Sequence, residues 1–401
     1  MELVTPNEAE QLIGAHLAAL PIESLPVAQC AGAVLRENVY AERDQPPFDR
    51  VAMDGIALDS AATARGRLRF TIQGVQAAGA APLTLESPQH CIEVMTGAML
   101  PAGCDTVIPV EVIRSLEGHA EIDSAAAAAP WKHVHRRASD QTQGALLLPA
   151  GTVLRAPEIA VAASAGMARL RVSGQPAILV VSTGNELVEP GEPVLPHQIR
   201  RSNAYAVMAA LRQRGFVRVA DDHLPDHERT LRERLQLHLH THEVLILSGG
   251  VSMGRFDLIP KVLQQLGVQR LFHGVAQRPG KPMWFGVSAD GRAVFALPGN
   301  PVSTLVCLAR YVLPALYAAM GLRSEGSERL ALAEGWEWEP TLTGFLPVRV
   351  HHDDWGRPWA TPHPTNGSGD YSSLALTDGF VELPPGPARF TKGFVTRLYR
   401  W

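Results

Sequence analysis

Residues Leu245–Asp257 read LILSGGVSMGRFD. An apolar run suited to a buried strand breaks at Ser248-Gly249-Gly250 and reaches an aspartate at the head of the amphipathic segment DLIPKVLQQLG. Two other stretches have the same grammar of strand, glycine turn and helix: AILVVSTGNEL (177–187) and AVFALPGNPVS (293–303). The segments NAYAVMAALRQRG, ERTLRERLQLHL and STLVCLARYVLPALYAAMG supply further helices, several closed by the glycine that a left-handed C-terminal cap requires. Strands alternating with helices predict a three-layer α/β domain over about 173–325, its parallel-rich sheet covered on both faces.

Outward from this centre the texture changes. The N-terminal region, 1–172, opens with a helix over EAEQLIGAHLAAL that Thr5 or Asn7 can cap, and carries an inserted β-rich domain at about 46–140. There LRFTIQG, CIEVMTG, TVIPVEVI and AEIDS alternate apolar and polar positions, while SAAAAAP reads as a loop. From 326 to 401 short β-like runs rich in Pro, Gly and Trp predict a small C-terminal β domain. A chain of 401 residues exceeds the size at which one core keeps growing, so several domains are expected. The net charge of −4 gives no global attraction to nucleic acid or anionic membrane. No apolar stretch reads as the roughly 20 residues of a bilayer span, and the N-terminus lacks a signal pattern, so the expectation is a cytoplasmic protein. Cys30, Cys91, Cys104 and Cys307 are scattered, which suits buried thiols and neither a disulfide framework nor a thiolate zinc site.

In an open parallel sheet the loops after the strand C-termini share one edge, and ligands bind there. Glycines let main-chain N–H groups approach an anion, and helix N-termini add a favourable partial charge. The candidate substrate cradle is therefore Ser182, Thr183 and Gly184, then Ser248, Gly249, Gly250 and Ser252, then Pro298, Gly299, Asn300 and Ser303. Any one of these loops is equally well a tight turn with no ligand. QRPGKP adds Arg278 and Lys281, each able to neutralise an oxyanion, or else to form a solvated basic turn. Glu186, Asp226 and Asp257 can reach the same edge. Carboxylates beside a phosphate loop suit Mg²⁺, with Glu186 and Asp257 the candidate metal ligands. N-capping accounts for Asp226 and Asp257 about as well. In HLHTHEV, His238, His240 and His242 read as a solvated helix end, and HVHRR (133–137) reads as a surface hairpin.

PPFDRVAMDGIAL, MTGAMLPAGCDTVI, STGNELVEPG, LSGGVSMGRFD, RPGKP and LPGNPVS, in this order, resemble the molybdopterin molybdenumtransferase (MoeA) family, which includes the gephyrin E domain. The likeness covers nearly the whole chain. It implies a homodimeric enzyme of molybdenum cofactor biosynthesis, with a site shared between subunits and a barrel-like C-terminal domain. Its substrates would be adenylylated molybdopterin and molybdate, its requirement Mg²⁺ and its products molybdenum cofactor and AMP. A molybdopterin adenylyltransferase and apo-molybdoenzymes are the implied partners; neither nucleic acid nor membrane is expected.

Carried over by position, the resemblance assigns catalytic roles to Asp54 in AMDG, Thr96 in MTGA, and Asp140, which closes the family's GED element, here Ala138-Ser139-Asp140. It assigns the same to Glu186, Asp226, Asp257, Arg278 and Lys281. The chain departs from the family where Asn185 replaces Asp, Arg255 stands at an often acidic position, Ser139 replaces Glu, and Arg278 replaces Lys. The site is thereby more positive than the family's, and the alternative reading is an altered or non-catalytic paralogue that binds molybdopterin or a nucleotide as a scaffold or carrier.

Overall fold

The computed structural model describes residues 3–124, 128–251, 258–323, 326–338 and 341–401. The chain forms two compact units: one of residues up to Glu37, Ala150–Arg155 and Arg169–Trp401, the other of Asn38–Pro149 and Ala156–Ala168.

The larger unit is built on a six-stranded sheet in the order Val219–Leu224, Ile178–Thr183, Val244–Ser248, Ala293–Leu297, Trp284–Val287, Gln269–His273. The first four run parallel, Trp284–Val287 runs antiparallel to them, and Gln269–His273, antiparallel to Trp284–Val287, returns to their direction. Successive side chains point to opposite faces. Ile178, Val180, Ile246 and Phe295 pack with Val207 and Leu211 of the helix Ser202–Gln213. Leu179, Val181, Leu247 and Val294 pack with Leu231 and Leu235 of Glu228–Thr241 and Val262 of Leu258–Gln265. Burial on both faces is why these strands read as unbroken apolar runs rather than alternating ones.

The first helix, Pro6–His16, begins at Thr5, not Asn7. Thr5 accepts the Glu8 N–H at 3.2 Å and Glu8 accepts the Thr5 N–H at 2.7 Å, a reciprocal cap that satisfies two otherwise orphaned donors. The helical run Pro301–Ala319 has the length and hydropathy of a membrane span, against the expectation that no such stretch exists, but 78% of it is buried within the protein, as in a core helix. A π-turn, Leu308–Val312, interrupts it and carries the buried Arg310. The Arg310 guanidinium meets Glu10 at 2.8 Å and Glu382 at 3.3 Å.

The C-terminal strands close on themselves: Thr343–His352 pairs with Pro358–Pro362, then Arg329–Leu332, Val395–Arg400, Gly379–Leu383, and back to Thr343–His352. Leu332, Leu346, Val348, Val381 and Leu398 are among its buried core residues. This barrel-like sheet is joined to the α/β part by main chain, because Gln277–Arg278 runs parallel to Thr343 and Gly344.

The smaller unit centres on a six-stranded mixed sheet ordered Thr106–Pro109, Gly55–Leu58, His90–Val94, Arg69–Gln76, His119–Ile122, Ile113–Leu116. Ile56, Leu58 and Ile108 face one apolar cluster, and Ala57, Ile92 and Val107 another. All four cysteines are buried, and burial pushes the Cys91 and Cys104 thiols up to about 12. The histidine-rich helix end is less solvated than its sequence suggests. His238 is buried and bonds Asp222 at 2.7 Å, while His240 is exposed.

Candidate functional site

Three strand ends deliver the glycine loops to one edge of the α/β sheet. Gly249 and Gly250 have φ of +100° and +66°, and a Cβ on Gly249 would lie 2.7 Å from the Thr183 carbonyl oxygen. A Cβ on Gly299 would touch the Gly249 Cα at 3.4 Å. The approach of Gly249 to Thr183 therefore requires glycine, while Gly299 packs against Gly249 in ordinary van der Waals contact. The Thr183 hydroxyl is buried against Gly249 and Gly250 and has no hydrogen-bond partner among the described residues, an unmade bond that a buried oxygen rarely tolerates without a ligand or water to take it.

Ser182, Thr183, Glu186, Ser248, Gly249 and Gly299 line a small cavity of about 80 Å³. Two lining residues that sequence reasoning missed organise it. Asn203 donates to the Ser248 hydroxyl at 2.7 Å and the Gly299 carbonyl at 2.8 Å, and accepts from the Tyr371 hydroxyl at 2.8 Å. Arg201, buried, donates to the Ser182 hydroxyl at 3.1 Å and pairs with Glu189 and Asp221. Its hydrogen bond holds the Glu189 carboxyl below the ordinary range. The signal lay in RRSN, a polar cluster opening a helix that returns to the sheet edge.

Glu186 folds over the first turn, so that a Cβ on Gly184 would meet its carboxylate at 2.6 Å. The Asn185 side chain accepts the Asp226 N–H at 3.1 Å, a task an aspartate would perform equally, so the substitution keeps the loop geometry while removing a charge. Asp226 does not cap the following helix; the cap position is His227, whose side chain makes no capping bond. Gly250 belongs to the loop described above, while Ser252, Arg255 and Asp257 lie outside the described residues. Among the described residues no three of His, Cys, Asp and Glu gather as a metal site.

Arg278, Lys281, Pro298, Asn300 and Ser303 line a separate cleft of about 1130 Å³. The basic turn is fixed from beneath by buried Gln277, which accepts from the Tyr311 hydroxyl and donates to the Pro279 carbonyl at 3.1 Å. Gly280 is required there, because a Cβ would lie 2.7 Å from the Cys307 sulfur. The turn Pro298–Ser303 serves both cavities: Asn300 and Ser303 line the cleft, Gly299 the smaller pocket.

In the smaller unit Asp54 accepts from the Thr96 N–H and hydroxyl. A Cβ on Gly55 would lie 1.9 Å from the Ile108 carbonyl oxygen, so the aspartate precedes an obligatory glycine. Asp140 bonds His135 at 2.8 Å, and Ala138 holds φ of +62°, the region that favours glycine.

Paired glycine loops at the C-terminal edge of a parallel sheet, beside a cleft lined by Arg278, Lys281 and Arg389, are the arrangement of an α/β protein whose sheet edge suits a phosphate-bearing or other oxyanionic ligand. Three family models match in order: the MoeA N-terminal region (domain I and II) over residues 4–166, a probable molybdopterin binding domain over 179–318, and the MoeA C-terminal region (domain IV) over 329–396. The molybdopterin molybdenumtransferase of Synechocystis sp. is 39% identical over 100% of both chains, and that of Synechococcus elongatus 33% identical over 96% of each. A crystal structure of the molybdopterin biosynthesis MoeA protein from Pyrococcus horikoshii is 29% identical with a TM-score of 0.83, over 100% of this chain and 99% of that one. The chain belongs to the molybdopterin molybdenumtransferase family, transferases of molybdenum cofactor biosynthesis.

Proposed function

We propose that this protein inserts molybdenum from molybdate into adenylylated molybdopterin and releases AMP in a Mg²⁺-dependent reaction in the cytoplasm. The observation that carries this reading is the packing of the glycine loops at the sheet edge, with the Thr183 hydroxyl buried beside Gly249 and Gly250 and without a partner among the described residues. Breaking a phosphoanhydride leaves charge on phosphoryl oxygens, and catalysis requires that charge to be stabilised more in the transition state than before it. Lys281 and Arg278 supply cations for the phosphoryl oxygens or for molybdate, itself a tetrahedral dianion; Arg278 can grip an oxyanion with two donors. The Thr183 hydroxyl orients the phosphate. Mg²⁺ takes one or two protein carboxylates and fills its remaining positions with phosphate and water, which suits Glu186 with Asp257; when bound, it would neutralise the phosphates.

Asp54 with Thr96, Asp140, and Asp226 complete the proposed set as orienting groups. The family resemblance supports a homodimer with a site shared between subunits, supplied by a molybdopterin adenylyltransferase and serving apo-molybdoenzymes. Mixed dimers of Asp54→Ala and Lys281→Ala subunits test the sharing: one site carries both lesions and the other neither, so activity should return. The test of the reaction is incubation with adenylylated molybdopterin, molybdate and Mg²⁺, scoring AMP and the activity of a reconstituted apo-enzyme. AMP release without reconstitution, or neither, would reject it.

A further inference from the structure

The large cleft has an aromatic wall that none of the anion-binding assignments uses. Trp338 is half-buried at its rim. Its indole N–H donates to the Leu342 carbonyl at 2.9 Å, which ties down one edge of the ring. The ring lies against Gly344, where an added Cβ would come within 2.6 Å of an indole carbon. Gly344 is in turn the register partner of Arg278. Backbone pairing thus places an aromatic plate beside the strand that carries Arg278. On the same wall, the Trp338 main-chain N–H donates to the Ala388 carbonyl at 2.9 Å, which sets the exposed Arg389 beside the ring as the register partner of Glu337; among the described lining residues Glu337 is the only carboxylate, with Arg278, Lys281 and Arg389 the cations.

A flat ring beside clustered cations matches one ligand chemistry: a planar, nitrogen-rich bicycle joined to phosphate. Ring-on-ring stacking binds any such heterocycle with little regard to its edge pattern, while the cations select for the attached anion. A merely structural tryptophan needs neither neighbour.

We propose that Trp338, held flat by Gly344, is the stacking platform for the heterocycle of the substrate, with Arg389, on the neighbouring strand, as a cation for its phosphate. This rests on the proposed reaction for the identity of the substrate, whose adenine and pterin ends share the chemistry. Binding to the full-length protein separates them, measured by calorimetry with AMP in one arm and neopterin monophosphate in the other.

Trp338→Leu keeps apolar bulk but removes the π face, and should weaken at least one probe about tenfold; Trp338→Phe should stay within about threefold of the parent. Gly344→Ala, which pushes the indole from its seat, should reproduce the Leu result, and Arg389→Gln should weaken AMP more than adenosine. Loss in the AMP arm alone assigns the adenine end, loss in the pterin arm alone the pterin end. A folded Trp338→Leu protein, melting as the parent does, that binds both probes unchanged overturns the proposal. Because these are binding measurements, absence of AMP release by the parent protein would reject the reaction and leave this result standing.

Discussion

Asp54 and Thr96 are joined twice through one oxygen: the Asp54 Oδ1 accepts the Thr96 main-chain N–H at 2.6 Å and its hydroxyl at 2.8 Å. The N–H bond first, then the hydroxyl, holds the Asp54 carboxyl below its ordinary value. A depressed folded pKa contributes stability that is complete above the unfolded value, near 3.9, and is lost as pH falls through the lower folded one. Asp54 is therefore ionised throughout the neutral range. Thr96→Val removes the hydroxyl bond and leaves the main-chain one, so the Asp54 pKa should rise part of the way back. Carboxyl-carbon NMR reads this directly, and an unmoved titration would mean that the hydroxyl does not bond the carboxylate in solution.

The two cations of the basic turn, Arg278 and Lys281, should differ in kind. Lys281→Ala should raise the molybdate concentration needed for half-maximal AMP release about tenfold or more. Arg278→Lys, which restores the family's residue, should shift that requirement by a smaller factor because an ammonium has a different reach and no planar fork. Molybdate titrations of both variants against the parent decide this, and identical curves would remove both side chains from the oxyanion site.

Ala138 offers a stabilising change. An L-residue in the left-handed region costs about 1–2 kcal/mol, and glycine, the family's residue there, adopts it freely at some cost in unfolded-chain entropy. Ala138→Gly should therefore raise stability by up to about 1 kcal/mol, seen as a higher urea midpoint. A lower midpoint would show the strain to be absent.

Arg310 should be costly to remove. It is 1% exposed and faces Glu10 from the first helix and Glu382 from the barrel. Taking one partner from a buried ion pair costs about 3–5 kcal/mol, because the other charge is left uncompensated. Glu10 can recover water more readily than Glu382, since their side chains are 49% and 19% exposed. Arg310→Met should therefore destabilise by about 3 kcal/mol, and adding Glu382→Gln should recover part of the loss. Denaturant melts of the single and double variants measure both, and a neutral single variant would contradict the role.

Legibility in the sequence followed the range of the interactions. The α/β strands were readable because two-sided burial demands continuous apolar runs such as ILVVST and VLILS, and the glycine turns because close approach leaves no alternative residue. Pairings over long separations were not readable. Nothing in RRSNAY indicates that Asn203 joins Ser248 to Gly299, nor does HLHTH reveal that His238 turns inward to Asp222. Arg310 sits unremarked within the apolar helix STLVCLARYVLPALYAAMG, whereas in the fold it is the point where two carboxylates from distant segments converge. The ring of C-terminal strands was expected only in outline, because closure depends on Thr343–His352 pairing with two partners at once.

Gln277–Arg278 pairs with the barrel strand through main chain. That pairing does not depend on which cation the position carries. A lineage can exchange lysine for arginine at this position without re-aiming the loop that presents it, so the affinity of the cleft for anions can drift by single substitutions while its architecture is inherited intact.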